Sequence, residues 1–332
     1  MSLRLGLGIQ QDRTPDELIR LVRLAEALGY DTLWYANEKM YRDTYIGLAV
    51  AAMHSSRLKL GTFIVDPYTA HPATTAAAIA TLDELSGGRA ILLLGAGGAG
   101  VVPLGIPRPK PATALAEAIQ VIRALLSGET VNFEGEVVRL AGGKLHLPAR
   151  PDIPIYVASR GDRVLEMAGQ HADGVMIATY ATPAGVQHAL ERVDAGLAKS
   201  GRSREDIRII SRVDGWIASD REQARAAVRS MVARFLTSSY PDVSFVQAVG
   251  AEIPPDLEAV LRQKNRELSA VSGHLVTDEL VDAFTWAGTI EDVARKVRSV
   301  AALGIDDMTI LLHPPEGEPV EPGMAAFSQA LR

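Results

Sequence analysis

LKLGTFIVDPYTAHPATTAAAIATLDELSGGRAILLLGAGG, residues 58–98, carries one complete strand–helix–strand unit. Leu58–Ile64 and Ala90–Leu94 are short apolar runs, and Pro72–Leu85 between them has helix length, with proline in its first turn. The turn Ser86-Gly87-Gly88-Arg89 stops that helix just before the second strand. Strands that are apolar throughout are covered on both faces, and strands joined through a helix run parallel. The segment therefore predicts a parallel sheet with helices packed on it.

The same unit repeats in both directions. Leu3–Ile9 leads through Thr14-Pro15-Asp16-Glu17 into a helix with Leu18, Leu21, Val22, Ala25 and Leu28 at helical spacing, stopped at Gly29. Thr32–Tyr35 and a helix near Asp43–Met53 lead back to Leu58. Downstream come helix Ala112–Leu126, strand Ile155–Ala158, helix Asp162–Gln170, strand Gly174–Ile177, helix Pro183–Lys199, strand Ile207–Ile217 and helix Arg221–Phe235. Ile290–Leu303 and Asp307–Leu312 close the series. Eight strands and about eight helices fit a TIM (β/α)8 barrel better than an open doubly wound sheet, which uses fewer strands and leaves two edges to protect. Periodicity carries no information on closure, so the open sheet stays as the alternative. Three stretches depart from the rhythm: an irregular insertion after strand four, over 98–111; a β-hairpin over Val131–Leu147, turning at Gly135 and Gly142-Gly143; and a polar, helical insertion over 236–285 containing Pro254-Pro255. No linker divides the chain, so residues 1–332 read as a single barrel domain.

Composition narrows the function. Hydrophobic residues make up 47% and charged residues 22% of the 332, the balance of a soluble chain with a large core. A net charge of -6 gives no basic patch for nucleic acid or an anionic membrane. With no cysteine, thiolate catalysis, disulfides and Cys-ligated metals are excluded. His54, His146, His171, His188 and His274 show no metal spacing with acidic residues, so no metal is expected. No G-x-S-x-G elbow is present, which leaves acyl transfer unsupported. No secretory signal and no apolar run of membrane-spanning length appear, which predicts a cytoplasmic protein.

In a barrel, reactive groups stand at the C-terminal strand ends. Those ends carry Ala36-Asn37-Glu38-Lys39, Asp66-Pro67-Tyr68-Thr69-Ala70-His71, Gly95-Ala96-Gly97-Gly98, Ser159-Arg160-Gly161, Ala178-Thr179-Tyr180 and His313. Ser159-Arg160-Gly161 precedes a helix, so it reads either as an anion site or as an ordinary cap with a surface arginine. Glu38 and Lys39 read either as a solvated pair or as polar groups in a pocket walled by Trp34, Tyr35 and Tyr41. Gly95–Gly98 permits close backbone approach to a ligand but is not a dinucleotide fingerprint. His71 reads as a helix cap. With no nucleophile, metal or Walker motif, the chemistry points to an organic cofactor.

Several segments together resemble the luciferase-like monooxygenase superfamily, and within it the coenzyme F420-dependent methylenetetrahydromethanopterin reductase branch. They are Gly29-Tyr30-Asp31-Thr32-Leu33-Trp34, residues 60–72, Leu85–Arg89 with Gly95-Ala96-Gly97, residues 154–161, Ala168–Val175 and Ala287-Gly288-Thr289. The resemblance spans the chain except the 236–285 insertion. It implies a TIM barrel with a flavin-like ring across its mouth, and a bulge with a non-prolyl cis peptide near Phe63-Ile64-Val65. It places the cofactor against Ile64, Val65 and Asp66, Gly95, Ala96 and Gly97, Ala158, and Ala178 and Thr179, with its phosphate on Ser159, Arg160 and Gly161, and Gly97 and Thr179 nearby. Asn37 and Glu38 would face the reacting carbon, with Trp34, Tyr41 and Tyr68 around a small-molecule substrate. Asn37 stands where many members have aspartate. The Asp66-Pro67-Tyr68-Thr69 ending leans toward coenzyme F420 and hydride transfer. The alternatives are an FMN-dependent monooxygenase using O2, fed by a flavin reductase partner, and a non-catalytic flavin-binding barrel. The family also implies a homodimer.

Overall fold

A computed structural model describes residues 3–331 of the chain. Among these residues eleven strands and thirteen α-helices alternate along most of the chain. The first half contains β1 (Arg4–Ile9), α1 (Pro15–Ala27), β2 (Thr32–Ala36), α2 (Thr44–Met53), β3 (Lys59–Phe63), α3 (Pro72–Ser86), β4 (Ala90–Leu94) and α4 (Pro111–Leu126). The hairpin strands β5 (Val131–Glu134) and β6 (Arg139–Gly143) follow, then β7 (Ile155–Ser159), α5 (Asp162–His171), β8 (Gly174–Ala178) and α6 (Pro183–Lys199). The remainder holds β9 (Arg208–Ile217), α7 (Arg221–Ser239), α8 (Ser244–Gln247), α9 (Pro255–Arg262), α10 (Arg266–Val271), α11 (Asp278–Phe284), β10 (Thr285–Gly288), α12 (Ile290–Ala301), β11 (Asp307–Leu312) and α13 (Glu321–Ala330).

Nine strands share one sheet in the order β10-β9-β11-β1-β2-β3-β4-β7-β8, and β8 pairs in turn with β9. The second pairing returns the order on itself through eight strands, so the sheet is the closed TIM barrel and not the open alternative. The eight are those expected from the sequence. β10 is the addition: it falls at the end of the expected 236–285 insertion and pairs in parallel with the last part of β9, from Thr285↔Asp214 to Gly288↔Ile217. β9 has the length for this because its earlier residues, Ile210 to Gly215, pair with β11. A strand of four buried residues has too few turns of the pleat to show a period.

By its contacts the chain divides into two compact units, each described by itself. One contains Gly6–Met176 and Arg192–Arg208. Its α1 begins with a capping box, Thr14 and Glu17 each bonding the other's backbone N–H, and buries Leu18, Leu21, Val22 and Ala25 on one face. β2 and β4 are buried at every position, as strands covered on both sides must be. Trp34 lies over Gly61, where an added Cβ would come 2.1 Å from the indole. The antiparallel β5–β6 hairpin is anchored by Glu117 of α4, whose carboxylate accepts the N–H groups of Glu136, Val137 and Val138 at 2.7–2.9 Å. Gly135 is required there, because a Cβ would stand 2.4 Å from the Glu117 carboxyl carbon.

The other unit contains the residues up to Leu5, Ile177–Glu191 and Ile209 onward. It includes the expected helical insertion, which packs Phe235 of α7, Phe245 of α8 and Phe284 of α11 with ring centroids 5.2–5.6 Å apart. Trp286 of β10 stacks on Phe327 of α13 at 5.9 Å. Among the described residues no helix is long and apolar enough to cross a membrane.

Candidate active site

The first unit gathers the loops behind β1, β2, β3 and β4. Asn37, one residue past β2, donates its backbone N–H to the Phe63 carbonyl at 2.9 Å and its side-chain Nδ2–H to the Ile64 carbonyl at 3.0 Å. Its amide therefore grips both carbonyls of the segment holding the cis Phe63–Ile64 peptide. Beyond that peptide the chain keeps pairing with the neighbouring strand: Val65 N–H bonds Leu93 O at 3.1 Å, and Gly95 N–H bonds Val65 O at 3.0 Å. Gly95 makes room for this segment, since a Cβ would sit 2.2 Å from the Ile64 Cδ1.

Asp66 is 2% exposed and has four partners. Its Oδ1 accepts the N–H groups of Tyr68 and Thr69 at 3.0 and 2.7 Å, and its Oδ2 takes the Thr69 hydroxyl at 2.8 Å and Lys39 Nζ at 3.0 Å. Burial pushes this carboxyl upward, but the Thr69 N–H, the Thr69 hydroxyl and Lys39 outweigh it and hold it below the usual range. Lys39 is thus not a solvated loop residue; it neutralises a buried acid.

Glu38 is exposed. Its backbone N–H bonds Gln11 Oε1, and Gln11 Nε2 in turn bonds the Arg42 carbonyl. Gln11 is 1% exposed and follows β1. Its amide fixes the loop while leaving the Glu38 carboxylate pointing at the Ala99–Leu104 turn, where a Cβ on Gly100 would lie 2.9 Å from Glu38 Oε2. Gly97, at φ 78°, offers its carbonyl to Arg108 at 2.6 Å, and the Tyr68 hydroxyl bonds Pro109 O at 2.9 Å. The 98–111 segment is thereby tied back onto the β3 and β4 loops.

Behind β7 the Ser159 Oγ accepts the Gly161 N–H at 3.0 Å, and α5 starts at Asp162 with no side chain capping it. The start of this ten-residue helix carries a partial positive charge, and no side chain caps it. Arg160 stands beside it in sequence, so the local chemistry fits a phosphate.

In the second unit the chain leaving β8 passes through Thr179, at φ 68° and 4% exposed. Its N–H bonds the Arg212 carbonyl at 2.8 Å and its hydroxyl turns back to Ala178 O. A β-branched residue with positive φ is rare and costs about 1–3 kcal/mol, which the surroundings must enforce. At the same level Arg212 grips Asp214 with two bonds of 2.9 Å, and His313 Nε2 reaches Asp214 Oδ1 at 2.7 Å.

The sequence profile of the luciferase-like monooxygenase family matches residues 2–307. The chain belongs to the luciferase-like monooxygenase family. It is 32% identical to the 5,10-methylenetetrahydromethanopterin reductase of Archaeoglobus fulgidus over 96% of this chain and 95% of that one. It is 30% identical to the F420-dependent glucose-6-phosphate dehydrogenase of Beutenbergia cavernae, covering 83% and 84%. Among solved structures it is similar to the coenzyme F420-dependent tetrahydromethanopterin reductase of Methanopyrus kandleri, with a TM-score of 0.88 and 28% identity over 99% and 98% of the two chains.

Within this luciferase-like barrel the expected site residues have different surroundings. Ile64, Val65, Asp66, Gly95, Ala96 and Gly97 lie together behind β3 and β4, joined by the Gly95 N–H bond to Val65 O, with Val65, Asp66 and Gly95 buried and Ile64, Ala96 and Gly97 partly accessible. Ala158, Ser159, Arg160 and Gly161 follow β7 at the start of α5, and Ala178 and Thr179 belong to the second unit. Trp34, expected beside substrate, is 2% exposed and packs on Gly61 and Tyr156, so it is core. Tyr41 is 62% exposed, which leaves it no pocket wall to form. His71 is a cap as read, its Nδ1 accepting the Ala73 N–H at 3.1 Å. Gln11 was not singled out from the sequence, although its place directly behind β1 was the available signal. Arg212 and Asp214 lie inside a strand and carried none.

Proposed function

We propose that this chain is a coenzyme F420-dependent oxidoreductase that moves a hydride between the deazaflavin and a small organic substrate. The observation that carries the reading is the pair of joined segments, 64–66 and 95–97, held in place by Asn37 and the Lys39–Asp66 pair. Their partly accessible residues, Ile64, Ala96 and Gly97, suit the flat face of a ring, and similarity to F420-dependent relatives over nearly the whole chain supports the deazaflavin. Bound there, the cofactor would supply the hydride. Its phosphate fits the start of α5, which no side chain caps, beside Arg160 and the Ser159–Gly161 turn.

In this reading Asn37 is a positioning residue, since its amide is spent on the Ile64 carbonyl. Glu38 has its carboxylate in the open and is the acid/base or orienting group of the first unit. Tyr68 braces the 98–111 segment against the ring site through Pro109. The methylene carbon of a reduced pterin is the first substrate to try, on the strength of the Archaeoglobus fulgidus relative. A second copy of the chain would cover the apolar face of α2, where Ile46 and Met53, seven residues apart, are 69% and 72% exposed.

Titration of the purified protein with coenzyme F420 and, separately, with FMN tests the cofactor by fluorescence quenching. Saturable quenching of coenzyme F420 is expected. Tight FMN binding with no coenzyme F420 response would replace this reading by the flavin monooxygenase. Binding without turnover of 5,10-methylenetetrahydromethanopterin would limit the reading to the cofactor.

A further inference from the structure

The second unit contains a cavity of about 260 Å³ that none of the residues assigned above lines. Its walls are Arg221 and Arg225 of α7, Asp282 of α11, Ala287 of β10, and Asp292, Arg295 and Lys296 of α12. The spacing explains the gathering: residues four apart on α7, and three and four apart on α12, stand on one face of each helix. Both helices pack against β10, the strand added to the barrel. Arg225 and Lys296, with side chains 11% and 23% exposed, are its shielded cations. Arg221 and Arg295, at 57% and 69%, are its solvated ones.

Each acid here serves two cations. Asp292 takes Arg221 at 2.6 and 2.8 Å and also Arg295, while Asp282 takes Lys296 at 2.7 Å and also Arg225. Four cations against two carboxylates leave the lining with an excess of two positive charges. Around it, Asp278 bonds Arg225 and is matched by Arg229. Glu222, 4.0 Å from Arg225, is 69% exposed, so solvent screens it. The cations also have donors to spare. Among the described residues the Arg225 Nε–H is buried without a hydrogen-bond partner, a costly state that an acceptor reaching it would relieve. Lys296 has a third N–H beyond its bonds to Asp282 and Thr285 O, and Arg295 gives only one nitrogen to Asp292. Burial draws the Lys296 ammonium below its ordinary value although Asp282 pulls the other way, so half of one carboxylate undercompensates it.

We propose that this cavity binds a phosphoryl dianion, either inorganic phosphate or the end of a phosphate monoester. Two negative charges match the excess of the lining. Three guanidinium groups and an ammonium supply charge-assisted donors from several directions, which suits a tetrahedral group of oxygens better than a flat carboxylate. The volume is below the roughly 300–1,000 Å³ of pockets that engulf an organic ligand, so the phosphoryl group enters and any organic remainder stays outside. Asp220 and Thr289 already cap α7 and α12, so the side chains and not the helix ends carry the attraction. Bound there, the anion bridges the first turns of α7 and α12. The site is independent of the cofactor reading.

Isothermal titration of the whole chain, in chloride buffer of fixed ionic strength, tests this with inorganic phosphate, glycerol 3-phosphate and succinate. Saturable binding of phosphate at one site is expected, with succinate, a dianion of different shape, at least about tenfold weaker. Arg221→Gln combined with Arg295→Gln should weaken phosphate by at least about tenfold, through lost bonds to a charged group. Both arginines are exposed, so the fold should hold, and circular dichroism checks it; Arg295→Gln alone serves if the pair does not fold. Arg262→Gln removes an arginine of similar exposure on α9 and should change affinity by no more than a factor of about two. Competition by glycerol 3-phosphate would identify the end of a monoester as an occupant, and phosphate binding without it the free ion. No saturable phosphate binding, succinate as tight as phosphate, or an equal loss in Arg262→Gln would overturn the proposal.

Discussion

Lys39 Nζ lies 3.0 Å from Asp66 Oδ2, tying the loop behind β2 to the loop behind β3. The acid is buried and the lysine side chain is only 15% exposed, so the pair is shielded from solvent. Asn37 makes the other tie between the same loops, through the Ile64 carbonyl. The β3 segment that would support the cofactor ring is therefore held from its β2 side by one charge pair and one amide.

Replacing Lys39 by Met removes the counter-charge and leaves Asp66 to the Thr69 and Tyr68 donors. The loss expected is about 1–3 kcal/mol, the cost of uncovering one partner of a buried polar pair. Urea unfolding reads it. The carboxyl lies below its ordinary value, so its stabilisation is present above that value and fades as pH falls through the lowered one. Lys39→Met should therefore lose less, relative to wild type, in acid than at neutral pH. Equal stability at neutral pH would show that the pair is idle.

Glu38→Gln keeps the size of the side chain and removes its charge and basicity. If Glu38 handles a proton or orients the substrate, kcat falls about 100-fold. Coenzyme F420 quenching should stay within a factor of about three, because the Gln11 bond reaches the backbone and not the side chain. Unchanged turnover removes Glu38 from the mechanism.

Gly95→Ala places a Cβ against Ile64 Cδ1, which must rotate or shift the 64–66 segment. Coenzyme F420 affinity should fall by about tenfold, or 1.4 kcal/mol. Adding Ile64→Val deletes the offending methyl and should restore affinity. A double variant as weak as Gly95→Ala would place the ring elsewhere.

Ile46→Lys with Met53→Lys puts two charges on the exposed apolar face of α2 without touching its buried side. Sedimentation equilibrium should show a dimeric wild type and a monomeric variant, both with the same far-ultraviolet circular dichroism. A variant that stays dimeric would locate the interface on another face.

Asp292, the partner of the N-cap Thr289 in the capping box of α12, receives both Arg221 and Arg295. The Arg221 bonds are the main cause of a carboxyl drawn down to about 2. Its stabilisation is therefore complete above the ordinary value of 3.8 and lost as pH falls from there toward 2. Asp292→Asn should lower the melting temperature at pH 7 and match the wild type more closely near pH 2. A constant difference across that range would show that the charge is not what Asp292 contributes.

The barrel was legible because its signals are local. Leu58–Leu94 announces a buried strand, a capped helix and a second strand within one short window, and the strand–helix period repeats through β11. Trp34 shows the limit of that method: an aromatic residue near a strand end reads alike whether it lines a pocket or fills the core, and only its packing on Gly61 and Tyr156 decides. Asn37 shows another, because an amide can serve a substrate or a carbonyl and the sequence does not say which is within 3.0 Å.

Element order, the two insertions, the helix caps and the cofactor-free chemistry of the side chains were thus determined by sequence, through propensity and periodicity acting over a few residues. Closure of the sheet by β8 on β9, the β10 addition, and the meeting of Asp214 with His313 across a separation of 99 residues were decided by tertiary structure. The physical reason is the same in each case. Strand register and burial bring together groups whose positions along the chain carry no trace of their distance in space.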